Sequence, residues 1–418
     1  MTIHSRFGDS TLAFLRDGYA FILRRSERAQ ADVFQTRLLM LPVTCLHGEQ
    51  AAQLFYDQER FERRGAAPAR AQKTLLGEGG VQGLDDEAHR VRKQMFMSLM
   101  TPERLRDLTN LTTTQWHASV VKWETQTQVV LLDEVQDLLC RAVCRWAGVP
   151  LHGGEVALRT ADFAAMIDSA GAVGVRHWRG RLGRARAERW AARLIAQVRA
   201  GTLTPDQASA LHVIAHHQDV SGALLDERVA AVELLNVLRP TVAVALYVVF
   251  AALALHDFPE AARRLAEGGQ TARKHFVQEV RRFYPFFPFA AAKVRQDFEW
   301  HGHKFTRGQR TLLDLYGTNH DRRFWGDPET FRPERFRHWN GSPYTLIPQG
   351  GGDHFQGHRC AGEWITIDLV QNALHFLTDE LEYTVPVQNL RMSLRRFPAR
   401  PASRLVLSQV RRRARAAG

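Results

Sequence analysis

IPQGGGDHFQGHRCAGEWITIDLVQNALHFL, from Ile347 to Leu377, sets one cysteine between a glycine-rich loop and the start of a helix. Gly350, Gly351, Gly352 and Gly357 precede Cys360, and Gly362 follows it. Beyond Glu363 the apolar residues recur at helical spacing. A thiol just ahead of a helix meets the positive end of the macrodipole and free backbone N–H groups, which favour thiolate. Glycines let the backbone approach a flat bound object closely. A liganding thiolate and a buried structural cysteine both fit this stretch taken alone.

The rest of the chain narrows the setting. Its 418 residues are 45% hydrophobic and 24% charged, ordinary globular values. The sequence reads as helices separated by short turns, with no internal repeat or low-complexity linker. The fold class expected is therefore mostly α with small β elements, in one domain over residues 1–418 with a loose basic tail from about residue 409. TPERLRDL opens a helix with Thr101 as N-cap and Pro102 in its first turn. FEWHGHKF (298–305) predicts a hairpin turning at Gly302, and RTLLDLY (310–316) a strand.

A net charge of +12 and a pI near 10.0 suggest polyanion binding. The arginines are scattered, however, and the clusters at 177–190 and 411–418 carry no base-reading motif, so solvated faces are expected and no nucleic acid. The four cysteines are too few and too irregularly spaced for a disulfide framework, which points to a reducing compartment and a cytoplasmic protein. Cys140 and Cys144 share a helix face and read as core packing. The charged N-terminus, MTIHSRFGDSTLAFLRDGYAF, predicts neither a signal peptide nor an anchor. Ala231–Leu255 is long enough to span a bilayer, yet it contains Glu233, Arg239 and Pro240. An arginine near a helix centre costs at least ~2.5 kcal/mol in lipid, so a buried central helix is expected and no membrane span.

Two further motifs join the cysteine loop. FVQEVRRFYPFFPF (276–289) puts Glu279 and Arg282 at i, i+3, close enough to pair. DPETFRPERF (327–336) supplies Arg335. In this order and spacing the three stretches resemble the cytochrome P-450, or haem-thiolate, superfamily. The resemblance implies a single helical, prism-like domain enclosing haem b, with Cys360 as the axial ligand of the iron. It also implies Glu279, Arg282 and Arg335 as a buried charge cluster, and His89 and Lys93 as holders of the haem propionates. Thiolate ligation favours O–O cleavage, so oxidation is the expected chemistry.

Two departures from the common pattern matter. Asp353 and His358 stand where a phenylalanine and an arginine usually precede the cysteine. In LLNVLRPTVAVAL (234–246), Arg239-Pro240 replaces the acid–alcohol pair that relays protons in oxygen-using members. Arginine stays protonated and cannot act as that acid, and Pro240 should free the Asn236 carbonyl and kink the helix. With KTLLGEGGVQGLDDEAHRVRKQMFMSLMTPERL (73–105), these stretches resemble the bacterial fatty-acid peroxygenases, over roughly residues 12 to 405. That resemblance implies hydrogen peroxide as oxidant, a long-chain fatty acid as substrate and no dedicated redox partner. Arg239 would hold the substrate carboxylate, with Pro240 marking the replaced oxygen-activating machinery. Leu76 and Gln82 look like the branch that hydroxylates the α carbon; β-hydroxylation and decarboxylation to a terminal alkene are the alternatives. Phe286, Phe287 and Phe289 are expected to line the acyl chain. A reductase-fed monooxygenase and a non-catalytic haem-thiolate sensor are the other readings.

Overall fold

The apolar tract folds as two helices through the middle of the molecule, Glu227–Ala243 and Ala245–Asp257. The computed structural model describes residues 8–414. Of this 31-residue tract, the most apolar window is 94% buried, as expected of a central core helix. Asp226 caps its start, accepting a hydrogen bond from the Arg228 N–H at 2.9 Å. Helical backbone continues through Pro240 and gives way only at Val244, whose N–H reaches back to the Thr241 carbonyl. The expected break thus comes one turn later than the proline. Thr241 Oγ1 donates to the Val237 carbonyl at 2.9 Å, a back-bond that bends helices without ending them.

Packed around this pair are the helices Pro102–Trp123, Leu131–Trp146, Gly153–Asp168, Val175–Arg199, Gly269–Phe283 and Glu363–His375. Thr101 Oγ1 accepts from the Arg104 N–H, so the capping read from TPERL is present. Cys140 and Cys144 lie wholly in the core, and the described residues hold no group of three or more metal-ligating side chains.

A five-stranded sheet lies to one side, in the order Val33–Leu38, Leu41–Leu46, Arg310–Asp314, Phe289–Val294 and Phe61–Glu62. Phe298–Trp300 pairs with His303–Phe305 around His301 and Gly302, the hairpin read from the sequence.

Two expectations about basic segments need correction. The tail is not loose from residue 409: Val406–Arg412 is the middle strand of a three-stranded sheet with Gln128–Val130 and Leu381–Thr384. Leu407 and Val410 are buried there, and Arg411 pairs with Glu382 at 2.7 Å. Nor is the 177–190 cluster only a solvated face, because Arg184 is 3% exposed and turned inward. Residues 1–7 of the N-terminal stretch and 415–418 of the tail lie outside the described residues.

Candidate active site

Glu233, Asn236 and Arg239 sit three residues apart on one face of the central helix, all buried. Glu233 accepts from Arg92 Nη1 at 2.6 Å, from the Val81 N–H at 2.9 Å and from Asn236 Nδ2 at 2.8 Å. The Asn236 amide therefore turns its oxygen to Arg239, accepting from Nη2 at 3.2 Å. Gln82 Oε1 accepts from Asn236 Nδ2 at 3.3 Å. Arg239 Nη1 donates to the Leu75 carbonyl, to which Arg184 Nη1 also donates at 2.7 Å. No acidic side chain among the described residues comes within ion-pair distance of Arg239. Burial and then the nearby Arg184 charge pull its pKa down to about 9.

A charge on Cys360 would be felt by this arginine, raising its pKa against burial and Arg184. Its N–H donates to the Gln349 carbonyl at 3.1 Å, which closes the glycine-rich loop. Burial raises the thiol pKa against the pull of Lys93 and the Gly362 N–H. Desolvation thus works against the helix terminus and Lys93 at this sulfur. Gly362 opens onto the same space, since a Cβ there would meet only Cys360 Sγ, at 4.0 Å.

Behind the loop, charges are fully paired. Arg282 grips Glu279 with two hydrogen bonds of 2.8 Å, and Arg335 Nε adds one of 3.1 Å. The remaining guanidinium N–H groups reach the carbonyls of Asn319, Pro328, Trp325, Asp327 and Thr330. A second set, absent from the sequence reading, joins Arg281 and Arg359 to Glu363. Although burial works against it, Glu363 is held well below the usual carboxylate range by Arg281, His354 and Arg359.

His89 and Lys93 lie on one face of the Asp86–Ser98 helix, both buried. Lys93 Nζ donates to the Arg359 carbonyl, while His89 Nδ1 finds no partner among the described residues. The His358 ring lies 3.9 Å from that of His89. Burial brings His89 down to about 4 and, with Arg63 next, His358 well below its ordinary value. Asp353 accepts from the N–H groups of Phe355 and Gln356, so it folds the loop as a turn residue. The three phenylalanines have different surroundings. Phe286 stacks on Tyr247 at 4.4 Å, Phe287 is 39% exposed, and Phe289 lies 5.7 Å from Phe14 beside the sheet.

A family model described as Cytochrome P450 matches residues 273–392, which hold all three motifs behind the site. Among solved structures, a variant of cytochrome P450SP alpha (CYP152B1) superposes with a TM-score of 0.95 at 48% identity, over 97% of this chain and 100% of that one. The chain belongs to the cytochrome P450 family. Cytochrome P450EX alpha (CYP152N1), solved with myristic acid, matches at 47% identity and a TM-score of 0.94, over 97% of this chain and 98% of its own. Cytochrome P450 71D94 of Mentha gracilis is 32% identical over 105 residues, 24% of this chain. That match spans 21% of the mint protein's length. The fold is the cytochrome P450 fold, the chain falls among the CYP152 peroxygenases, which are oxidoreductases, and the cofactor is haem b.

As a cytochrome P450, the chain has residues that fit that cofactor. A free thiol, the open space beside it at Gly362, and the unpartnered Nδ1 of His89 are each what a haem iron and its propionates would complete. Sequence reasoning missed Arg63, which is buried with its guanidinium donating to the Phe55 carbonyl and its charge felt by both His89 and His358. It also missed Arg92, Arg184 and the parts played by Glu233 and Asn236. The i, i+3, i+6 spacing of Glu233, Asn236 and Arg239 was the available signal.

Proposed function

We propose that the protein hydroxylates long-chain fatty acids at the α carbon with hydrogen peroxide: a fatty acid and peroxide give the 2-hydroxy acid and water. The observation that carries this reading is Arg239, a buried guanidinium with two neutral acceptors and no counter-charge. A carboxylate completes it with paired, charge-assisted hydrogen bonds.

Cys360 would hold the iron of haem b and His89, Lys93 and Arg63 its propionates, and the bound group would supply the oxidising chemistry on peroxide. Arg239 fixes the carboxylate on the side of the pocket facing Cys360, which leaves a carboxylate oxygen to take and return a proton during O–O cleavage. Thr241 does not compete for that role, because its hydroxyl is spent on the Val237 carbonyl. With the carboxylate fixed, the first carbons of the chain are those nearest the reacting centre. Gln82 supports hydroxylation over loss of carbon dioxide: its amide is tied to Asn236 and offers no acidic proton near the substrate. Leu76 and Phe286 are proposed to shape the chain's path, with Phe287 and Phe289 beyond them, and Pro240 fills the position of the missing alcohol. The solved relative that holds myristic acid supports a fatty acid as substrate. A cytoplasmic setting without a reductase partner completes the proposal.

Purified haem-loaded protein given palmitic acid and peroxide alone should yield 2-hydroxypalmitic acid by mass spectrometry. Product formed only with NAD(P)H and a reductase would overturn the reading, and 3-hydroxy acid or terminal alkene as the main product would move the site of attack.

A further inference from the structure

Two guanidinium groups converge on one carbonyl. The segment Gln72–Leu76 is a wide helical turn closed by the Gly77 N–H on the Gln72 carbonyl at 2.8 Å. Carbonyls at such an end lack helical partners and carry the negative end of the local dipole. Leu75 O meets this need twice, from Arg239 and from Arg184, and Leu76 O lies 3.5 Å from Arg184 Nη2.

The Arg184 seat is built for its occupant. Its Nε donates to Glu188 at 2.6 Å. A Cβ at Gly77, where φ is +90°, would fall 2.1 Å from Arg184 Nη2 and 2.5 Å from Val232 Cγ1. The guanidinium is therefore wedged between the turn and the central helix in room that only glycine leaves.

A substrate carboxylate attracts Arg239 more strongly than a neutral carbonyl does, since charge-assisted hydrogen bonds are roughly twice as strong. When Arg239 turns to the substrate, Leu75 O loses one donor and stays buried. We infer that Arg184 then holds the Leu75–Leu76 turn alone, and so keeps Leu76 in the place from which it selects the carbon to be oxidised. Arg184 is thus a positioning residue for regioselectivity. This rests on the proposed function for the identity of the anion and for the part of Leu76.

The test compares wild type, Arg184→Gln and Arg184→Lys in the haem-loaded protein, using palmitic acid as probe. Amide hydrogen exchange over residues 72–77 should be unchanged or slower when palmitate binds wild type. In Arg184→Gln, palmitate should speed it about ten-fold or more, because the turn then loses its last charged donor. Palmitate affinity from the absorption shift should fall about ten-fold. The ratio of 2-hydroxy to 3-hydroxy product should drop, and Arg184→Lys should restore part of each. An exchange response to palmitate identical in wild type and Arg184→Gln, or an unchanged product ratio, would overturn the inference. If wild type makes no hydroxy acid, the proposed function fails, while the exchange comparison still decides the role of Arg184. Should Arg184→Gln not fold, Glu188→Gln, which removes the carboxylate that seats Arg184 Nε, is read in the same way.

Discussion

Arg282 and Arg239 are both buried arginines on core helices, and their surroundings differ in kind. Arg282 has a carboxylate gripped at two points and two carbonyls for its remaining N–H groups. Arg239 has one carbonyl, shared with another arginine, and one amide oxygen. A buried charge that is fully paired holds elements together; one left with only neutral acceptors weakens the fold until an anion arrives. The same residue type thus serves as scaffold in one place and, in the proposed function, meets the substrate in the other, and what separates the two is the presence of a counter-charge.

The largest expected effect lies on the paired side. Arg282→Ala leaves Glu279 buried with only Arg335 and a backbone N–H for partners. Removing one member of a buried pair typically costs about 3–5 kcal/mol. Thermal melting should show a strongly destabilised protein that loads little haem, and a variant that melts like wild type would break the comparison. On the other side, Arg239→Ala should leave haem loading intact and melting unchanged or slightly higher, since no ion pair is lost. Fatty-acid turnover should nevertheless fall about a hundred-fold or more, on the order of the 3–5 kcal/mol a stranded carboxylate partner costs. A large drop in melting temperature would place Arg239 with Arg282 as scaffold.

Acidity sharpens the contrast further. Burial and Arg184 bring Arg239 to about 9, so it stays charged near neutrality. Affinity for a fatty acid should hold across the whole neutral range, because burial and Arg184 lower the Arg239 pKa without removing its charge there. In Arg239→Lys the same burial acts on an amine whose ordinary pKa is lower, about 10.4. Its affinity should therefore fail at a lower pH than wild type, as read by spectral titration with palmitate. Coincident pH profiles would remove this side chain as the titrating group.

How much of this was legible in the sequence follows from the same distinction. The Glu279–Arg282 pair and the cysteine loop were readable because their residues lie within one turn or one loop. Arg239 was readable as an oddity, a charge in an apolar run. Its setting was not, since Arg184 meets Leu75 across 109 positions and Arg92 meets Glu233 across 141. Such contacts depend on how helices pack, which no local spacing records. The basic tail was misread for a related reason: Leu407 and Val410 are three apart, and both are buried only because the strand's register shifts between Ser408 and Arg411, which no period-2 pattern records. The pull of the helix end on Cys360 was legible because it is local, whereas the desolvation that opposes it depends on everything packed around the thiol.

The smallest predicted effect tests whether the catalytic proton has left the helix. In Thr241→Val the side chain keeps its shape and loses a hydroxyl that, in this protein, only donates to the Val237 carbonyl. That carbonyl lies within helical backbone, so losing the extra donor should cost no more than an ordinary net hydrogen bond, about 1 kcal/mol. If the substrate carboxylate held by Arg239 handles the proton, peroxide turnover should change by less than about three-fold, a step well below the ten-fold worth 1.36 kcal/mol in a barrier. A loss of about a hundred-fold or more, the usual worth of a positioned acid or base, would mean that Thr241 still relays protons. It would also mean that Arg239 does no more than anchor the chain.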